Sequence, residues 1–313
     1  MGVTNLDMVQ ANQFIGPASG STLPATTGKY FYVNSGIGSN GNDGRSPASP
    51  LATVDFAFGL CTANKGDVIV VMPGHAETVT ATSIAHDVAG VRVIGLGTGL
   101  NRPTFTYGAA AATITVSAAN GRWENCHFIA NFLDVAAAFT LGAAKDFQLV
   151  NCTFVDNSSS LGFLSIVVTG ATDNDADGLT VVGNYWYSLE ASPNAFISIL
   201  AAELRVLISD NNVDMAATNN VGHFITLSNK IVKGIRILRN NLIVTGATNA
   251  TVGIFLTGSG TTSKGIVAYN LVSSLDTTSE LIATAGTGLV FFENYYTGTA
   301  DASGKLWPVV DVA

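Results

Sequence analysis

One short pattern recurs along the chain: a run of β-branched or aromatic residues, an Asn, then a second such run. It stands as GRWENCHF around Asn125, FQLVNCTF around Asn151 and LTVVGNYWY around Asn184. It returns as VLISDNNVDM at Asn212, IRILRNNLIV at Asn241, GIVAYNLVSS at Asn270 and LVFFENYYTG at Asn294. Successive Asn lie 26, 33, 28, 29, 29 and 24 residues apart. Periods of 20–50 residues mark solenoids and propellers. No helical period accompanies the repeat and β-formers dominate each unit, so the repeat is built of strands.

Alignment on the Asn gives three columns. The position after it holds Cys126, Cys152, Tyr185, Val213, Leu242, Leu271 and Tyr295. The next holds His127, Thr153, Trp186, Asp214, Ile243, Val272 and Tyr296, and the third begins with Phe128 and Phe154. Alternation of period two predicts that the first and third columns face a core and the middle one faces outward. Trp186, Ile243, Val272 and Tyr296 are then an outward apolar column suited to subunit packing. The seven Asn would stack coil upon coil and join their side-chain amides in a ladder, as stacked parallel strands permit. The fold class this predicts is all-β, a parallel solenoid of about eight coils.

The run YFYVNSGIGSNGNDGRSPASPLATVDFAFGLCTANKGDVIVVMPGHAETV, residues 30–79, adds a second signal. It contains a strand, a Gly/Asn/Asp loop, Ser-Pro and Pro-Leu-Ala-Thr, a short amphipathic stretch from Val54 to Cys61, Gly-Asp-Val-Ile-Val and Pro-Gly. This resembles the opening of right-handed parallel β-helix proteins of the pectate-lyase-like superfamily, and within it short bacteriophage spike or decoration proteins. The resemblance implies a capping helix over the open end of the solenoid, where a terminal repeat needs a polar outer face. The expected organisation is an N-terminal arm over 1–29, entry strand, loop and cap over 30–65, β-helix over 66–297, and a tail over 298–313.

Composition narrows the function. Charged residues make up 12% of the chain, net charge is −8, and the 14 Lys and Arg are scattered. A phosphate backbone needs clustered cations, so no nucleic acid partner is expected. The densest group, Lys230, Lys233, Arg236 and Arg239, reads as outward strand and turn positions. No apolar run approaches the roughly 18 residues of a membrane span, and the opening MGVTNLDMVQANQF does not read as a signal peptide. Cys61, Cys126 and Cys152 are too few for a disulfide framework.

Candidate chemistry is sparse. The superfamily's lyases use Asp-bound calcium with an Arg base, and its hydrolases use clustered Asp, a His and Arg-x-Lys; none stands here as a recognisable cluster. Asp156 and Glu190, with Asp276, follow the Asn strand at similar offsets, and neighbouring coils would bring the first two together. A carboxyl pair is what glycoside hydrolysis requires, but solvated turn acids account for the same pattern. DNDADG places Asp173, Asp175 and Asp177 at the alternating positions of a calcium loop, without the closing Glu. Bound calcium is thus a weak candidate and no other cofactor is expected. His75, His86, His127 and His223 have no metal-ligand spacing.

Two classes follow. The first, and the one preferred, is a non-enzymatic structural protein of a bacteriophage particle: a homotrimer located on the virion. Its arm would contact a capsid or tail protein, and its surface would contact host polysaccharide. The second is a polysaccharide-degrading spike or secreted lyase using Asp156 and Glu190.

Overall fold

The computed structural model describes residues 23–81, 84–190, 193–216, 223–227, 230–244, 254–256, 263–274, 282–284, 288–298 and 301–307. The chain winds as a right-handed parallel β-helix. Each coil gives one strand to each of three sheets, which hold eleven, ten and eight strands among the described residues. The first coil runs Val68–Val71, Ala76–Val79 and Ile84–His86, and the second runs Arg92–Gly95, Thr104–Tyr107 and Ile114–Val116. Identical registers from coil to coil put like beside like. In the second sheet Phe105, Phe128, Phe154, Trp186, Val213, Leu242 and Val272 are successive partners.

That stack is the core. Phe105 and Phe128 stack at 5.4 Å and Phe128 and Phe154 at 4.9 Å, with Phe139 of the third sheet edge-on to Phe128 and Phe163, just before that sheet's next strand, edge-on to Phe154. Offset and edge-to-face rings add about 0.5–1.5 kcal/mol per pair beyond area burial. Two polar groups in this region are matched: Tyr107 Oη donates to the Ala138 carbonyl at 2.8 Å, and Trp123 Nε1 donates to His86 Nδ1 at 3.1 Å.

The cap is a single helix, Val54–Leu60, packed on the first coil through Val54, Ala57 and Phe58. Its start is fixed three times. Thr53 Oγ1 accepts from Phe56 N, Glu77 Oε2 accepts from Val54 N at 3.0 Å, and Asp55 Oδ1 accepts from Ala85 N at 3.0 Å. His75 holds that Glu77 carboxylate at 3.0 Å through Nε2, while its Nδ1 accepts from Ser35 N. Of the arm, residues 23–29 are described: Lys29 N donates to Asp67 Oδ1 and Thr26 Oγ1 to the Gly66 carbonyl. Residues 1–22 lie outside the described residues. Asp301–Trp307 returns antiparallel along Asn294–Gly298 and covers the edge of the second sheet, which protects a strand edge from pairing elsewhere. Among the described residues no helix is long and apolar enough to cross a membrane.

Candidate functional site

Two corner columns organise the coil. The first lies at the entry to the first sheet, where Asn64, Gly90, Asn120, Asp146, Gly178 and Arg205 take positive φ, as does Gly234 within the strand Val232–Leu238. The amide of each of the first six donates to the carbonyl beside its counterpart in the next coil, as from Asp146 N to the Asp177 carbonyl at 2.7 Å. Asn, Asp and Gly tolerate this left-handed conformation. The second lies between the first and second sheets, where Asn125, Asn151, Gly183, Asp210, Arg239, Tyr269 and Glu293 have φ between 48° and 69°. The residue after each stands immediately before the next strand, except after Glu293, where Asn294 is the first strand residue.

The Asn ladder occupies that following position: Asn184, Asn211, Asn240, Asn270 and Asn294. Asn211 N and Nδ2 both donate to Asn240 Oδ1 at 3.0 Å, and its Nδ2 also donates to the Val181 carbonyl. Asn240 repeats this toward Asn270 Oδ1 and the Ile208 carbonyl, and Asn270 toward Asn294. The expected ladder is therefore corrected at four of its seven members. Asn125 and Asn151 are left-handed corner residues, one place early. Asn212 and Asn241 are one place late and join only each other, on the outer face. In the first coils Cys126 and Cys152 occupy the ladder position, and Cys152 N donates to Asn184 Oδ1 at 2.9 Å. Both thiols are buried; desolvation pushes Cys152 up to about 12 and raises Cys126, so they are small inert core groups.

Asn184 and Asn270 stand one place later in the corner than Asn125 and Asn151, so the same count from them lands on the opposite face. Trp186 and Val272, expected outside, are fully buried, and Trp186 stacks on Phe196. Ile243 is half-buried on the outer face, and the side chain of Tyr296 lies outside the described residues. The exposed apolar side chains gather instead near the C-terminal end. In register there are Ile266 beside Val290 and Leu271 beside Tyr295, with Tyr269 edge-on to Phe292 at the corner between them.

Asp156 and Glu190 are brought together, but in the wall of the solenoid. Both are buried. Asp156 accepts from Phe163 N at 3.0 Å, Ser188 Oγ at 2.9 Å, Leu189 N at 2.9 Å and Glu190 N at 3.1 Å. A Cβ on Gly162 would lie 2.9 Å from Asp156 Oδ2 and 3.0 Å from Glu190 Oε2, so glycine is required there. Burial pushes the Asp156 carboxyl up to about 6 against those four donors. Asp276 lies outside the described residues.

The acidic loop is likewise spent on the next coil. Asp173 Oδ1 accepts from Ala202 N and Asp177 Oδ1 from Leu204 N, while Glu203 Oε2 accepts from Ala176 N in return. Among the described residues no three His, Cys, Asp or Glu converge on a metal position. Glu203, which sequence reasoning missed, is 1% exposed. Desolvation first, then Asp177 and Asp175, push it up to about 8. The histidines also divide by burial. That of His86 pushes it down to about 3, and His127 is lowered by burial and by Arg102, whose guanidinium donates to Thr153.

Two of the open concavities on the described residues bear on function. One, of about 750 Å³, crosses the outer face of the third sheet and is lined by Thr140, Ser198, Thr226, Asn194, His223 and apolar neighbours, with no carboxylate. The other, of about 540 Å³, lies on the first sheet between Asp146 and Ile266.

No family model and no curated protein matches the chain. Among solved structures it is similar to a rhamnogalacturonan lyase at 12% identity and a TM-score of 0.42, covering 83% of this chain and 86% of that one. It is similar to the pectin methylesterase of Aspergillus niger at 16% identity and 0.47, covering 90% and 89%. A lacto-N-biosidase from Eubacterium ramulus follows at 10% and 0.37, covering 86% and 68%. These likenesses concern the β-helix alone. The sheets and corners define a right-handed parallel β-helix protein, and the described acids hold its coils together.

Proposed function

We propose that this chain is a non-enzymatic structural β-helix, the spike or decoration protein of a bacteriophage particle, working as a homotrimer. One observation carries the reading. The carboxyl pair best placed for polysaccharide cleavage, Asp156 and Glu190, is buried in the wall, where Asp156 takes three backbone amides and a hydroxyl. A general acid must reach the glycosidic oxygen, and the open groove of the third sheet offers no such group. A neutral surface, a stacked core and a fixed cap fit a rigid load-bearing part. The test is incubation with acidic and capsular polysaccharides. No new reducing ends and no unsaturated products are expected; cleavage lost in Asp156→Asn or Glu190→Gln would replace this reading with a hydrolase or lyase.

Assembly is proposed through the exposed C-terminal cluster rather than through Trp186 and Val272. Apolar groups clustered at an exposed end mark an interface. Light scattering should give three times the 32.3 kDa chain mass. Leu271→Ser with Tyr295→Ser should lower it to one chain, with the fold kept because both side chains are exposed. A wild-type monomer at micromolar concentration would reject the trimer.

A further inference from the structure

The exposed apolar cluster straddles a convex corner. Ile266 and Val290 lie on the outer face of the first sheet, Leu271 and Tyr295 on that of the second, and Tyr269 meets Phe292 at the turn between them. One neighbour covers one face of such a corner, so covering both takes two neighbours. A closed ring of heterologous contacts supplies them by setting the first sheet of each copy against the second sheet of the next. The corner then points at the common axis, and the residues beside the cluster on the two sheets face one another.

Those residues are complementary in charge. Arg236 precedes Ile266 by one coil in the same outer row of the first sheet. Its side chain is exposed, and no hydrogen bond or ion pair holds the guanidinium among the described residues. On the second sheet Asp214 stands in register between Tyr187 and Ile243. No other carboxylate lies on the outer face of the strands from Thr104–Tyr107 to Leu271–Ser274. Asp214 Oδ1 is shut off from solvent without a hydrogen bond, and burial pushes the carboxyl up. A half-desolvated carboxylate gains from a cation brought to its open side. Arg236 and Asp214 are each the second outward residue from the corner, beyond Leu238 and Asn212 respectively. They differ by one coil, about 4.8 Å along the axis, which an arginine side chain spans. At the corner itself Arg239 is already matched by Asp210 at 2.7 and 2.8 Å.

We propose that the first sheet of one copy packs on the second sheet of the next, with Arg236 bonded to Asp214 of the neighbouring copy. This pairing rests on the homotrimer proposed above and names the faces that meet in it. A guanidinium can bond a carboxylate through two parallel hydrogen bonds, which sets the stagger of the copies along the axis more sharply than apolar rows do. The recess of about 540 Å³ between Thr180 and Ile266 lies at the level of Tyr187 and Ile243, and receives those side chains from the neighbour.

The experiment is light scattering of full-length protein over a dilution series at low salt. Wild type is compared with Asp214→Arg, Arg236→Asp, the two combined, and Asp214→Asn. Wild type should be trimeric, and each single charge reversal should need about tenfold more protein to assemble. The combined variant, with the charges exchanged, should assemble as wild type does. Asp214→Asn, close to aspartate in shape, should weaken assembly and remove much of its salt dependence, and an unchanged circular dichroism spectrum shows that the fold is kept. Single reversals that assemble like wild type, or a combined variant no better than the singles, would overturn the pairing and leave the trimer standing. A wild-type monomer would overturn the trimer and the pairing with it.

Discussion

Asn240→Leu should lower stability by about 3–5 kcal/mol, while Asn241→Leu, one residue along, should cost under about 1 kcal/mol. The contrast follows from which side of the strand each faces. Asn240 Oδ1 takes two bonds from Asn211, and its Nδ2 gives one to Asn270 and one to the Ile208 carbonyl. Leu at that position leaves the Asn211 donors and the Ile208 carbonyl unmet on one side and Asn270 Oδ1 short of a bond on the other, and each unmet buried group costs about 1–3 kcal/mol. Relaxation recovers part of the total. Asn241 makes one exposed bond at 3.2 Å to Asn212, and its neighbour in the next coil is already Leu271. Thermal or urea unfolding of the two variants decides the matter; equal effects would mean the register is wrong.

The second large effect concerns pH. Glu203 stands at about 8 against an ordinary 4.5, and Asp156 at about 6 against 3.8. Both folded values lie above the unfolded ones, so the folded chain holds protons that the unfolded chain has released. Their contribution to stability is full below about pH 4 and is lost as pH rises through 6 and then 8. Unfolding temperature should therefore fall from pH 5 to pH 9. Glu203→Gln keeps an acceptor for Ala176 N, presents an amide toward Asp177 and removes the buried charge. It should match wild type near pH 5 and exceed it by about 2–4 kcal/mol at pH 9. A wild-type stability that rises over that range, or a variant with the wild-type slope, would show that Glu203 is not protonated in the fold.

The period of about 28 residues was enough to read the solenoid, and the Pro-Leu-Ala-Thr segment was enough to place the cap. What sequence did not yield was the phase. Asn125 and Asn151 occupy the left-handed corner, Asn184 and Asn270 the position after it, and the pairs Asn211–Asn212 and Asn240–Asn241 offer both. An alignment on Asn mixes these, because Asn suits a left-handed corner and a ladder rung for different reasons. The third place after the apolar residue next to the end of the preceding strand, Trp123, Leu149, Val181, Ile208, Ile237, Val267 and Phe291, is the better ruler: it selects Cys126, Cys152, Asn184, Asn211, Asn240, Asn270 and Asn294 together. That ruler would have put Trp186 and Val272 inside. The other corner column was visible too, in Asn64, Gly90, Asn120, Asp146 and Gly178, residue types that accept positive φ.

The candidate site was legible in part. Neighbouring coils do bring Asp156 and Glu190 together, as their offsets implied. Their burial was not readable, because it depends on Gly162 lying against them and on amides from the following turn. Glu203 gave no sequence signal, since its partner loop lies a coil earlier. The recess on the first sheet needed the bulge at Gly234 to draw Arg205 and Arg236, 31 residues apart in sequence, to one concavity.

The register of the ladder decides which side chains form every outer face, and hence every surface on which this account rests. Hydrogen exchange of the Asn side-chain amides, followed by nuclear magnetic resonance after transfer to heavy water, tests it most directly. Slow exchange is predicted for Nδ2 of Asn211, Asn240 and Asn270, and loss within the dead time for Nδ2 of Asn212 and Asn241. Protection of Asn212 and Asn241 with fast exchange at Asn211 and Asn240 would contradict the structure described and turn Val213 and Leu242 to the surface.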